Sequence, residues 1–202
     1  MLPPVKLVDA ACGKYLLFEG NDAISRDISL KGQWDPINTA IARMLLSRSA
    51  PGGTVVDVGA NVGAFTIQQA REAPPDTTFH CFEMQRIVFY QLCGNIVLNR
   101  HQNIHAYNIG LGRSDGEVDV PVPDYAHEPN IGGVSASPEV RRLRNAHATD
   151  SASSFERMPF RTLDSFGFKD LRLLKIDVEG MEHDVLLGAR ETLARSNYPP
   201  IL

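Results

Sequence analysis

Two short stretches concentrate the residues able to do chemistry. The first, Thr54-Val55-Val56-Asp57-Val58-Gly59-Ala60-Asn61-Val62-Gly63-Ala64-Phe65, has the pattern of a buried strand that enters a glycine turn and opens a helix. Glycine accepts positive φ, and at Gly59 and Gly63 it also removes side chains where a ligand would meet the backbone. The helix that follows offers unpaired N–H groups at its start. In a G-x-G-x-x-G loop the second glycine lets a pyrophosphate approach. Here Asn61 fills that place, and Asp57 stands at the strand end. The combination suits a ligand with positive charge and no phosphate, and S-adenosylmethionine, with its sulfonium and α-ammonium, is such a ligand.

The second stretch gathers Asp177, Glu179, Glu182 and His183 around a strand-to-helix turn. Acids are at home in the first turn of a helix, where the macrodipole favours them. The sharper reading is that Asp177, Glu179 or the His183 imidazole takes the proton from an attacking hydroxyl, a task that needs a tunable pKa and reach to the nucleophile. Two further strand ends carry polar groups: Glu83, about 20 residues beyond the glycine loop, where doubly wound folds set a carboxylate against a ribose, and Asn108 with Gly110. Each has a plainer alternative, as a surface acid at a helix start or as turn chemistry. His101 and His105 straddle a helix end and read as surface residues. Arg141, Arg142 and Arg144 read as a solvated helix face sooner than as a clamp for an acidic substrate.

The elements that must position these residues follow from periodicity. Thr54–Val58, Thr78–Phe82, Ile104–Ile109 and Leu171–Ile176 are apolar runs of strand length. Between them come a helix from Ala64 to Glu72, stopped by Pro74-Pro75, and one with Val88, Leu92 and Ile96 at helical spacing. A longer helix from Glu182 to Arg195 turns Val185, Leu186, Ala189 and Leu193 inward. Such β-α alternation gives a parallel sheet with right-handed crossovers. Ahead of it, Lys14–Glu19 and Ile24–Leu30 pair as a hairpin through Asn21-Asp22, and Asp35-Pro36 starts a helix with Ile37, Ala40, Ile41, Met44 and Leu45 on one face. Glu117–Val122 alternates as a half-exposed strand that Pro121 puts at an edge. Residues 123–158, with Gly132-Gly133 and a Ser-rich run at 151–154, form a long loop suited to substrate contact. Residues 1–50 thus form a hairpin and helix packed on a core domain of residues 51–202, one domain overall.

Composition narrows the partners. At 202 residues, 43% hydrophobic and 22% charged with a net charge of -4, the chain has no basic footprint for nucleic acid. Residues 1–11 are too short and too often broken by Pro3, Pro4, Lys6 and Asp9 for a leader or a span, which points to the cytoplasm. Cys12, Cys81 and Cys93 have neither disulfide nor zinc spacing and read as buried thiols; no metal site is expected.

Taken together, VVDVGANVGAFT at 55–66, CFE at 81–83, NIGLG near 108, GGVS at 132–135, TLD at 162–164 and KIDVEGMEHDVLLGA at 175–189 resemble the FkbM family of S-adenosylmethionine-dependent methyltransferases, from about Lys14 to the last residue. The resemblance implies a class I methyltransferase fold: α/β, Rossmann-like and doubly wound, with a seven-stranded, mostly parallel sheet. It implies O-methylation of a hydroxyl on a sugar, glycolipid or natural product. By the same resemblance Asp57, Gly59, Asn61, Gly63 and Glu83 line the cofactor site, and Asp177 with Glu179 faces the methyl group and acceptor. Members of this fold continue past the Pro-Pro-Ile-Leu position, so the last strands are expected to be missing here, with an open sheet edge that a homodimer would cover. A nicotinamide-dependent oxidoreductase, against which Asn61 weighs, a non-catalytic binding domain, and a divalent-metal-assisted O-methyltransferase with Asp177 and Glu179 as ligands remain the alternatives.

Overall fold

The computed structural model describes residues 2–20, 22–49, 51–144 and 154–202, so residues 151–153 of the Ser-rich run lie outside it. An antiparallel hairpin, β1 (Val5–Ala10) and β2 (Gly13–Phe18), begins the fold. The sequence pairs this second strand with Ile24–Leu30; the structure makes those residues helix α1 (Ala23–Lys31). Asp22 decides the matter. Its carboxylate accepts the Ser25 N–H at 2.8 Å as an N-cap, and Ile28 is then fully buried on the inner face. Helix α2 (Pro36–Ser47) starts where expected, with Asp35 accepting the Asn38 N–H at 3.2 Å. Its apolar stripe, however, points mostly outward: Ile37, Ile41 and Met44 are exposed, Leu45 is partly buried against the core, and Thr39 and Ala42 are buried. Gln69 Nε2 donates to the Thr39 carbonyl at 2.9 Å, and this contact fixes the helix by its polar side.

The β-α alternation then appears as read: β3 (Gly53–Val58), α3 (Ala64–Glu72), β4 (Thr77–Phe82), α4 (Arg86–Leu98) and β5 (Ile104–Tyr107). After them come β6 (Gly110–Leu111), β7 (Gly116–Pro121), a short helix α5 (Pro138–Arg144), β8 (Phe155–Arg161) and a 3-10 turn at Leu163–Phe166. The expected loop at 123–158 therefore includes a helix and the start of a strand. The chain continues through β9 (Leu171–Ile176), α6 (Glu182–Leu187) and α7 (Arg190–Arg195).

The central sheet is parallel, in the order β5-β4-β3-β9, and a second sheet of order β6-β8-β7 leaves Pro121 on an edge strand. In place of seven strands in one sheet, the described residues give this four-stranded sheet with residues 200–202 running beside β9, where Leu202 N–H donates to the Leu174 carbonyl at 2.9 Å. Strand alternation sorts the core into two layers. Val55, Phe79, Cys81 and Leu173 pack with α3, α4 and the hairpin. Val56, Val58, Phe82 and Leu174 pack with Val185, Ala189 and Leu193 of the C-terminal helices.

The single helix expected over 182–195 is divided at Gly188-Ala189. The Gly188 carbonyl accepts from the Asp164 N–H at 2.9 Å, and a Cβ on Gly188 would lie 2.0 Å from the Gly112 carbonyl oxygen. Asp164 also caps α7 across space, accepting the N–H groups of Glu191 at 3.1 Å and Thr192 at 2.7 Å.

Candidate functional site

The strand ends converge on a cleft of about 250 Å³. Its floor is the turn after β3. Gly59 takes φ of 78°, and a Cβ there would lie 2.0 Å from the Asp177 carbonyl oxygen. Asp177 N–H in turn donates to the Val58 carbonyl at 2.9 Å, so this glycine lets β9 approach β3 closely, and it also lines the cleft. Gly63, at φ of 85°, serves packing: an added Cβ would strike Leu92 at 2.7 Å. It does not line the cleft. Asn61 does, in a left-handed conformation with φ of 52°, and its N–H donates to Glu83 Oε2 at 2.9 Å.

Glu83 is buried, 5% exposed, at the end of β4 and lines the same cleft. Its other oxygen accepts the Gln85 N–H at 2.8 Å. Burial raises its pKa to about 7 against the pull of these two backbone donors. Asn108 stands behind it, donating to the carbonyls of Glu83 at 2.8 Å and Met84 at 3.1 Å; it braces the turn and does not face the cleft. Gly110 does face it, held against the Phe160 ring so closely that a Cβ would lie 2.3 Å from it.

Asp57 corrects the expectation of a carboxylate at the mouth. It is 1% exposed, beneath the floor, where it accepts from the Thr66 hydroxyl at 2.7 Å and from Lys175 Nζ at 3.0 Å. Lys175, which sequence reading missed, lines the cleft. Burial works against its ammonium, but Asp57 and Asp177 outweigh that and hold its pKa above the ordinary lysine value. A lysine inside the apolar run Leu171-Arg172-Leu173-Leu174-Lys175-Ile176 was the signal, because a charge in a buried strand needs a partner.

Asp177 and Glu179 both line the cleft. Partial desolvation raises the Asp177 pKa first, then Glu179, Asp57 and Glu182, with Lys175 opposing; with 67% of the side chain exposed, water damps the shift. Glu179 holds a left-handed φ of 55° followed by Gly180 at 93°. His183 is exposed on α6 and outside the cleft; Glu182, half-buried, is also outside it, and its Oε1 accepts the Gly180 N–H at 3.0 Å. Asp35, read from the sequence only as a helix start, and Trp34 before it also line the cleft.

From the loop beyond β7, Asn130, Gly132 and Val134 close over the cleft. The buried Ile131 ties them down: its carbonyl accepts from Gln85 Nε2 at 2.8 Å and its N–H donates to Asp22 at 3.3 Å. Arg141 spends its guanidinium on the carbonyls of Ser135 and Ala136, and Arg142 is exposed. Among the described residues no His, Cys, Asp and Glu group could hold a metal ion, and no helix is long and apolar enough to cross a membrane. The thiols of Cys12 and Cys81 are buried and that of Cys93 half-buried, all free.

Comparison with known proteins bears on this cleft. A family model for the methyltransferase FkbM domain matches residues 57–199, which contain the glycine loop, Glu83 and the turn after β9 but not Trp34 or Asp35. A curated relative, methyltransferase 1 of Beauveria bassiana (strain ARSEF 2860), is 27% identical over 145 residues, or 66% of this chain and 57% of the relative. The chain thus spans little more than half of that relative's length. The solved structure of methyltransferase FkbM from Methylobacillus flagellatus KT covers 88% of this chain and 48% of its own at 16% identity and a TM-score of 0.50, a likeness of fold. M. jannaschii TYW2, solved in complex with AdoMet, covers 52% of this chain and 43% of its own at 21% identity and a TM-score of 0.37.

Proposed function

Since this chain belongs to the FkbM methyltransferase family, we propose that it is an S-adenosylmethionine-dependent O-methyltransferase whose acceptor is a hydroxyl of a sugar, glycolipid or natural product. The observation that carries the reading is the meeting, in one cleft, of a Glu83 carboxylate held by backbone N–H groups with Asp177 and Glu179 at the end of β9. The lining fits a cationic cofactor. Asp35, Asp177 and Glu179 bring negative charge, Glu83 adds to it as pH rises past about 7, and the cation among them, Lys175, is already paired with Asp57. Glu83 would hold ribose hydroxyls with the lone pairs its backbone donors leave, and Met84, Ile109 and Leu111 offer apolar surface to the purine.

When bound, S-adenosylmethionine supplies a methyl group on a sulfonium for in-line displacement. The chain contributes alignment, a factor worth roughly 7–11 kcal/mol. It also contributes a base for the acceptor hydroxyl, worth about 10²- to 10⁴-fold, and that base is Asp177 with Glu179 beside it. The same reading sets the protein in the cytoplasm, acting on a small molecule or carbohydrate and not on nucleic acid, with a homodimer as its expected assembly.

The test is calorimetric titration of the chain and of Glu83→Gln with S-adenosylmethionine and, separately, NAD, followed by transfer of a labelled methyl group to a panel of hydroxylated acceptors. Binding of S-adenosylmethionine alone, weakened in the variant, with label transferred, is the expected result. Binding of NAD in its place overturns the cofactor, and cofactor binding without transfer reduces the protein to a binding domain.

A further inference from the structure

Lys175 has no task in the reading given so far. An ammonium in a strand interior is costly unless paired, and Lys175 is paired on two sides. Its Nζ donates to Asp57 at 3.0 Å and stands 3.8 Å from Asp177 Oδ2. The two partners differ in kind. Asp57 lies beneath the floor, its other oxygen taken by the Thr66 hydroxyl at 2.7 Å. Asp177 projects into the cleft wall. The Phe65 ring, 5.5 Å from Nζ, closes a further side of the ammonium. Strand geometry produces this line of charges: Asp57 and Lys175 are opposite one another in the β3–β9 register, and Asp177, two positions on, projects to the same side as Lys175.

We propose that Lys175 is a positioning residue for methyl transfer: anchored from below by Asp57, it favours the charged form of the Asp177 carboxylate and turns it into the cleft where an acceptor hydroxyl would meet it. The inference rests on Asp177 being the base. The charged groups that act on Asp177 are Lys175, Glu179, Asp57 and Glu182, so Lys175 is the cation that opposes three acids. Without it the acids act together and Asp177 holds its proton more tightly. At 3.8 Å, with water-like screening, the lost attraction amounts to about a fivefold change in proton affinity.

Carbon-13 NMR titration of the carboxyl groups in the full chain tests this, with the Asp177 signal assigned by Asp177→Asn. Lys175→Met should move the Asp177 midpoint to higher pH by about that fivefold factor, and Lys175→Arg should restore most of it. Because Lys175→Met strands the Asp57 charge, the double variant Asp57→Asn/Lys175→Met is titrated beside it. That protein has no unpaired buried charge, and its midpoint still rises, by less, since Asp57 is the weaker influence on Asp177. A folded double variant whose Asp177 titrates like the wild type overturns the proposal. Methyl-transfer assays of Asp177→Asn judge the base itself, so the two ideas fail separately.

Discussion

Glu83 and Asp177 close strands on either side of β3, yet they are held in different ways. Glu83 is buried, and each of its oxygens takes a backbone N–H, from Asn61 and from Gln85. Asp177 is 67% exposed and pairs with a side-chain ammonium across 3.8 Å. A carboxylate fixed by main-chain donors cannot turn without breaking the loop that supplies them, and this suits it to holding a ligand. One held by a side-chain charge has a pKa that neighbours can tune, and this suits it to moving a proton. The cleft thus has one side set by backbone and another set by charges, and each side should respond to its own kind of perturbation.

The largest effect belongs to the charge-set side. Asp177→Asn should lower turnover by about 10²- to 10⁴-fold while leaving cofactor affinity within roughly twofold, as read by single-turnover methyl transfer and calorimetry. Equal losses in both would break the division and make Asp177 a cofactor ligand. Glu83 is expected to show itself in stability. In the folded protein burial lifts its pKa to about 7 from an ordinary value of 4.5, so the fold binds more protons than the unfolded chain between those values. Its contribution to stability therefore falls as pH rises through that window, by roughly 3 kcal/mol in total, and stays low above it. Urea unfolding of wild type and Glu83→Gln from pH 4.5 to 8 should show this as a difference curve. A flat difference would mean that the backbone donors, and not burial, set the state of Glu83.

Gly59→Ala comes next and tests the seam between the sides. The added Cβ meets the Asp177 carbonyl oxygen at 2.0 Å, at a φ of 78° that alanine rarely adopts. A loss of about 1–3 kcal/mol in thermal unfolding is expected, with cofactor binding and turnover both reduced because β3 and β9 move apart. Stability lost with turnover intact would show that the two strand ends work independently.

Much of the backbone-set side was legible in the sequence, because its causes are local. Apolar runs of strand length, the Gly59–Gly63 turn and the acid after Phe82 are close together in the chain and leave little choice of arrangement. The charge-set side depends on partners far apart: Lys175 meets Asp57 across 118 positions. From sequence alone, Asp57 belongs equally well at the mouth or beneath the floor, since strand parity says which residues share a face but not which face the cleft opens on. The same limit hid the outward turn of Ile37, Ile41 and Met44 on α2, which contacts the core through Thr39, Ala42 and Leu45. It hid Trp34 and Asp35 too, whose neighbours in the cleft come from other elements. The hairpin was misplaced for a different reason: Asn21-Asp22 reads equally as a hairpin turn or as a helix start, and in the structure Asp22 caps a helix that carries Ile24 and Ile28 at i, i+4 spacing.

The smallest effect sharpens the comparison from outside the cleft. Asp164→Ala removes the carboxylate that caps α7 through Glu191 and Thr192, and the expected cost is about 1 kcal/mol in thermal unfolding. The Asp164 N–H remains to hold the Gly188 carbonyl, so the division between α6 and α7 should persist. Because α6 follows directly on the turn that carries Asp177 and Glu179, that division also decides how far the damage spreads. If it isolates α7, cofactor affinity and turnover stay at wild-type values while stability falls. If turnover falls as well, the turn after β9 is supported through its helices in addition to Lys175, and the charge-set side rests on packing more than its exposed carboxylates suggest.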